Sequence, residues 1–272
     1  MRGISSALGA AYLLAGCDAV FLGDPPPAPR PANCGVGAPD EDGDLVADDC
    51  DLCPHLANAN DFVEVGDDRD GDEVGDRCDP DPDRAASSRL FFGNRDALDW
   101  VPNPVWQFDG TAFAVQEEAS LLSIRTFGSV TVIADAFFTS DPPGTAISSA
   151  TVLARAIAQQ DRDVPRGYGC RAVEDNDGAG QYLAIERTGF EPLLDVVLAR
   201  SAPNAFGGIT PGAHFILTLR AVGTTLTCTA ADEDGRLRSS ITATDATYKA
   251  GTLGVRATRF GGSFEWVFAI AQ

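Results

Sequence analysis

From Arg89 to Gln272 apolar and polar residues change places in short runs. Val130 to Phe138, Gln181 to Arg187, Phe215 to Val222, Thr225 to Ala230 and Phe264 to Ile270 read as strands among these runs. A period of two puts alternate side chains on opposite faces of a strand, so these runs predict strands, several with one apolar face. Asp175-Asn176-Asp177-Gly178 and Asp232-Glu233-Asp234-Gly235 are turn sequences between such strands. With the shorter runs there are about a dozen strands and no amphipathic helical period. The expected fold class is all-β, a two-sheet sandwich over residues 89–272.

Residues 34–83 follow another rule: one twelve-residue pattern is written twice. Asp40-Glu41-Asp42-Gly43-Asp44-Leu45-Val46-Ala47-Asp48-Asp49-Cys50-Asp51 returns as Asp68-Arg69-Asp70-Gly71-Asp72-Glu73-Val74-Gly75-Asp76-Arg77-Cys78-Asp79, with eight of twelve positions identical. Carboxylates on alternate residues of a tight loop turn inward together, and glycine supplies the backbone conformation that the turn needs. An all-oxygen shell without histidine suits Ca²⁺ better than zinc or copper. The bland alternative is a solvated acidic linker. Strict repetition with cysteines in register argues against it.

These two loops, with Cys53-Pro54 and Asn58 between them and the closing Gly75-Asp76-Arg77-Cys78-Asp79, resemble thrombospondin type 3 repeats over about fifty residues. The resemblance implies loops wrapped around calcium with little hydrophobic core. It implies Asp40, Asp42, Asp44, Asp48 and Asp51 as ligands in the first loop, with the Val46 carbonyl. In the second loop it implies Asp68, Asp70, Asp72, Asp76 and Asp79, with the Val74 carbonyl. Asp61 stands where the family usually has glutamine, and Phe62-Val63-Glu64-Val65-Gly66 looks like an insertion.

Charge follows the same division. Residues 34–83 hold eighteen acidic residues against Arg69 and Arg77, a net of −16 out of the chain's −20. A pI near 4.2 with no basic patch argues against nucleic acid and against direct binding to anionic lipid headgroups.

At the amino terminus Arg2, the apolar stretch Ile4 to Leu14 and Leu14-Ala15-Gly16-Cys17 look like a bacterial lipoprotein signal. That implies a signal peptide over residues 1–16 and lipid on Cys17, hence an exported, membrane-anchored protein of the bacterial cell envelope. An ordinary secretory signal with a chance cysteine is the competing reading. Residues 17–33, with Asp24-Pro25-Pro26-Pro27-Ala28-Pro29-Arg30-Pro31, read as an extended tether. Residues 34–83 form the loop module, and Arg84 to Ser88 a polar joint.

Seven cysteines become six once Cys17 is set aside, and an even number in an exported protein reads as disulfides. Spacing suggests Cys34 with Cys50, Cys53 with Cys78 and Cys170 with Cys228, among fifteen formal connectivities. A redox or zinc role for Cys50-Asp51-Leu52-Cys53 is the weaker reading, with no second CxxC and only His55 and His214 in the chain.

The strand region has a resemblance of its own. The order Asp99-Trp100, Trp106-Gln107-Phe108, Gly180 to Ile185, Phe215 to Leu219, Leu226 to Ala230 and Tyr248 to Arg256 is similar to concanavalin A-like (laminin-G-like) jelly-roll domains. That fold often binds glycans and in some branches hydrolyses them. No Glu-x-Asp-x-x-Glu spacing for a carboxylate pair occurs. Glu117-Glu118, Glu186, Asp195 and Glu265 read as solvated strand positions, His214 as structural, and Trp100, Trp106 and Trp266 as core rather than sugar platforms. The expectation is a non-catalytic, lipid-anchored protein in which a calcium-stiffened stalk presents a jelly-roll domain to a glycan or surface protein. A glycan-degrading hydrolase and a purely structural envelope component are the alternatives.

Overall fold

A computed structural model describes residues 40–57, 68–85, 88–92, 100–101, 105–108, 113–115, 118–140, 147–159, 162–175, 180–189, 195–206, 210–233 and 235–271. The expected signal peptide, Cys17, the tether, Cys34, Asp61 and the Phe62 to Gly66 insertion lie outside these residues.

The strands form two antiparallel sheets. The larger runs β12 (Leu237–Thr244), β11 (Thr225–Asp232), β10 (Ala213–Val222), β5 (Val130–Ser140), β14 (Gly261–Ala271), β3 (Phe113–Val115) and β2 (Gln107–Phe108), with β1 (Ser88–Phe92) also paired to β14. The smaller runs β4 (Ala119–Phe127), β13 (Gly251–Thr258), β6 (Ile147–Gln159), β7 (Arg162–Asp175), β8 (Gly180–Thr188) and β9 (Val196–Arg200). The architecture is an all-β jelly-roll sandwich, and every strand expected from alternation is present. The long pair β6 and β7 was not marked by the pattern.

The core lies where inward positions of both sheets meet. Val132, Ala134, Ala136 and Phe138 of β5, with Phe215, Leu217 and Leu219 of β10, face Val152, Ala154, Tyr168, Leu183, Ile185, Leu253 and Val255 of the smaller sheet. Each large apolar side chain so buried is worth roughly 1.5–3 kcal/mol. Cys170 of β7 and Cys228 of β11 join the two sheets as a disulfide, with Cα atoms 5.2 Å apart. Arg155, 2% exposed, ties down the hairpin ends by donating to the carbonyls of Gly128, Ala221, Gly223 and Tyr248.

One irregularity decides what the outer face of the larger sheet looks like. The register of β14 on β5 shifts between Phe264 and Trp266, inserting Glu265 as an extra residue. A bulge of this kind re-aims the side chains beyond it. Phe264 therefore enters the core, whereas Trp266, Phe268 and Ile270 point outward and stay buried. Something must cover them.

Candidate metal loops and the sheet face beneath them

The two acidic loops adopt the same conformation. Gly43 and Gly71 both sit at φ +75°, and the next-but-one residues, Leu45 and Glu73, also have positive φ, at 77° and 70°. Asp40 accepts from the backbone N–H groups of Gly43, Asp44 and Leu45 at 3.0, 3.2 and 3.0 Å. Asp68 repeats this with Gly71, Asp72 and Glu73 at 2.8, 3.2 and 2.9 Å. Asp44 accepts from Val46 N–H and Asp72 from Val74 N–H, both at 2.8 Å. Asp48 and Asp76 close each loop by accepting from Glu41 and Arg69 N–H. Local aspartate-to-backbone bonds thus fold the loops before any cation is considered.

That folding crowds like charges. In each loop a carboxylate oxygen from each of Asp40, Asp42 and Asp44, or of Asp68, Asp70 and Asp72, lies within 4.8 Å of the others. Burial pushes Asp42 up to about 7, helped by repulsion from Asp44, Asp51 and Asp40. Burial also raises Asp70, with Asp72, Asp79 and Asp68 adding repulsion, and burial raises Asp79. Asp51 and Asp79 therefore stand close to the same clusters, although eight residues or more separate them from the central aspartates in sequence.

The donors fit a hard cation. Asp42 Oδ2, both oxygens of Asp70 and Asp79 Oδ2 are shut off from solvent with no hydrogen-bond partner. An unpaired buried carboxylate oxygen is costly, and a divalent ion with oxygen ligands removes that cost. Asp40 and Asp44 stand beside Asp42, and Asp68 and Asp72 beside Asp70, whereas Asp48 and Asp76 are bonded to the Glu41 and Arg69 N–H groups and Asp76 also pairs with Arg69 at 3.3 Å. Cys53 pairs with Cys78 across the two loops, with Cα atoms 5.8 Å apart, and Gly75 N–H donates to Leu52 O at 3.1 Å. Cys50 is also disulfide-bonded, and Cys34, its expected partner, lies outside the described residues.

The loop module is what covers the outward residues of β14. Val74, 1% exposed, packs with Trp266, Phe268 and Ile270, and Cys78, Ile133 and Ile216 border the same cluster. The His55 ring lies 5.0 Å from Trp266 and 4.8 Å from Phe268. Its Nδ1 is buried without a hydrogen-bond partner, and burial lowers its pKa to about 4. Among the described residues the module thus packs against the sandwich, on an apolar floor that the bulge at Glu265 turns outward.

The remaining candidates resolve as follows. Trp100, Trp106 and Trp266 are all buried, at 3%, 8% and 5% exposure, so none offers a ring face to a sugar. His214 stacks on Phe137 at 4.5 Å and meets Asp135 at 3.0 Å, and that bond raises its pKa. Glu186 is not solvated as expected: it is 3% exposed and pairs with Arg171 at 3.1 Å on the outer face of the smaller sheet. Glu118 and Asp195 both bind Arg256, at 2.7 and 2.9 Å. Sequence reasoning missed these pairs because their members lie on different strands and share no spacing.

No protein-family model matches the sequence, and no curated protein matches it. Among solved structures the chain is similar to the carbohydrate binding module CBM66 from Bacillus subtilis, at 19% identity over 62% of this chain and 91% of that one, with TM-score 0.42. It is also similar to lectin II from Ulex europaeus, at 11% identity over 69% of this chain and 100% of that one, with TM-score 0.48. A GH43 protein from Bacillus licheniformis matches at 12% identity over 66% of this chain and 38% of that one, with TM-score 0.46.

Proposed function

We propose that this is a non-catalytic, lipid-anchored protein of the bacterial cell envelope whose calcium-filled loop module braces a glycan-binding jelly roll. The observation that carries the calcium half is the pair of matched loops in which buried carboxylate oxygens converge without partners. Calcium would be held by Asp40, Asp42, Asp44, Asp48 and Asp51 in one loop and by Asp68, Asp70, Asp72, Asp76 and Asp79 in the other, with the Val46 and Val74 carbonyls. Calcium supplies the positive charge that lets these carboxylates sit together. The chain's own part is to aim them, through the aspartate-to-backbone bonds described above. Extracellular modules of this type fill at roughly 10⁻⁴–10⁻³ M calcium.

The glycan half is supported by the polar outward positions of β11 and β12, of which Thr225, Ser240, Thr242 and Thr244 are exposed. The non-catalytic reading is supported by Arg256, whose guanidinium binds both Glu118 and Asp195 and so takes up that carboxyl pair. The lipid anchor rests on Cys17 following Leu14-Ala15-Gly16.

A glycan array probed with the whole mature protein, in calcium and in excess chelator, tests the binding reading. Binding in calcium is expected, and binding to no glycan in either condition would overturn it. For the anchor, Cys17→Ser is expected to move the protein from the membrane to the soluble fraction. Retention in the membrane would contradict lipidation.

A further inference from the structure

The outer face of the larger sheet continues past the loop module as a different surface. On β11 the inward residues are Leu226, Cys228 and Ala230, so Thr225, Thr227 and Thr229 point outward. On β12 Ile241 and Ala243 turn toward the core, so Ser240, Thr242 and Thr244 point outward. The register brings them side by side: Thr225 with Thr244, Thr227 with Thr242, Thr229 with Ser240. Adjacent strands are about 4.8 Å apart and alternate residues about 6.8 Å apart along a strand, so six hydroxyls stand on a regular two-by-three grid. Thr225, Ser240, Thr242 and Thr244 are exposed.

A second observation marks the same face. On β10 Arg220 stands beside Thr227, and on β5 Thr131 stands beside Arg220. Thr131 is 3% exposed, yet its Oγ1 has no hydrogen-bond partner, and neither has the buried Nε of Arg220. The row Thr131, Arg220, Thr227 and Thr242 thus ends, at its inner side, in polar atoms without a hydrogen-bond partner among the described residues.

We infer that this grid is the docking face for an extended polysaccharide, whose repeated hydroxyls pair with the threonine and serine hydroxyls and with Arg220. Each threonine hydroxyl both donates and accepts, as sugar hydroxyls do, and its methyl group packs against a sugar ring. A folded protein partner would call for an apolar centre with aromatic anchors, which the grid lacks. Nucleic acid would call for several cations, and these rows hold one arginine. None of the outward positions in these rows is acidic in a chain of net charge −20, so the patch is spared the charge that dominates the loops. β12 is an edge strand of the larger sheet, with no further described strand beside it.

The inference rests on the glycan-binding reading above and names its surface. The test uses the whole protein in calcium, with affinity electrophoresis through hydroxyethyl cellulose, xylan and alginate and co-sedimentation with cellulose, chitin and peptidoglycan. The triple variant Thr227→Val, Thr229→Val and Thr242→Val removes three hydroxyls while keeping shape and strand preference. It is expected to bind at least about thirty-fold more weakly, at roughly threefold per hydroxyl, with an unchanged melting curve. Arg220→Gln, which leaves the grid in place, is expected to weaken binding too and serves if the triple variant does not fold. Equal binding by wild type and variants would overturn the inference while leaving the glycan reading to another face. No polysaccharide binding by the wild type would overturn both. Variants that change self-association but not polysaccharide binding would make the occupant a second copy of the chain, which also overturns it.

Discussion

The loop module and the sandwich reach order by opposite routes. The sandwich closes a dry core between two sheets, pinned by Cys170–Cys228 and by Arg155, and needs nothing from outside. The buried apolar residues of the module, among those described, are Cys53, Pro54 and Val74. It is held by aspartate-to-backbone bonds, one described disulfide and an apolar floor lent by Trp266, Phe268 and Ile270. Conditions that leave one region intact should therefore dismantle the other.

The largest difference is expected on damaging the ion sites. Replacing Asp42 and Asp70 with asparagine removes a central ligand from each loop. Calcium affinity measured by calorimetry should fall by more than about tenfold, while the far-ultraviolet circular dichroism of the strands stays unchanged. Unchanged affinity would remove these two aspartates from the site.

Trp266→Ala attacks the shared floor. Loss of this buried ring should cost about 3–5 kcal/mol in denaturant unfolding, and protease cleavage within residues 40–85 should rise even in calcium. If stability falls but cleavage does not change, the module does not depend on this floor.

The paired substitution Cys170→Ala with Cys228→Ala strikes the other region. A cost of about 2–4 kcal/mol is expected for the sandwich, with calcium affinity unaltered. A parallel loss of calcium affinity would show that the regions are not independent.

The smallest effect concerns His55, whose folded pKa is held at about 4 by burial against a usual 6.5. The stability it confers is complete above its unfolded pKa of 6.5 and is lost as pH falls from there toward 4. Up to about 3 kcal/mol is at stake. Comparing wild type with His55→Phe cancels the carboxylates, which titrate in both proteins. Wild type should lose more stability between pH 7 and 4 than the variant, and equal losses would place His55 outside the docked contact.

The sequence revealed the two regions unevenly. Strands with one wet face announced themselves: Phe215 to Val222 and Thr225 to Ala230 alternate because one side of the sheet meets water. β6 and β7 did not, since Ser148 through Ala156 are buried on both faces and no alternation survives. The two matched acidic loops were legible from their repetition, down to the paired glycines. Their resting place was not, because His55 and Val74 look like any other residues of an acidic segment. One signal was available. Trp266-Val267-Phe268-Ala269-Ile270-Ala271 is an unbroken apolar run, and a strand of that kind is covered on both faces. The ion pairs Glu118–Arg256–Asp195 and Arg171–Glu186 carried no linear signal, since folding brings their members together from positions that share no regular spacing.

Amide hydrogen exchange of the whole protein, in millimolar calcium and again in excess chelator, puts the central claim most directly to trial. Residues 40–85 should pass from protected to freely exchanging when calcium is withdrawn, while β5, β10 and β14 keep their protection. Equal protection of residues 40–85 in both conditions would mean that no ion holds the acidic module together.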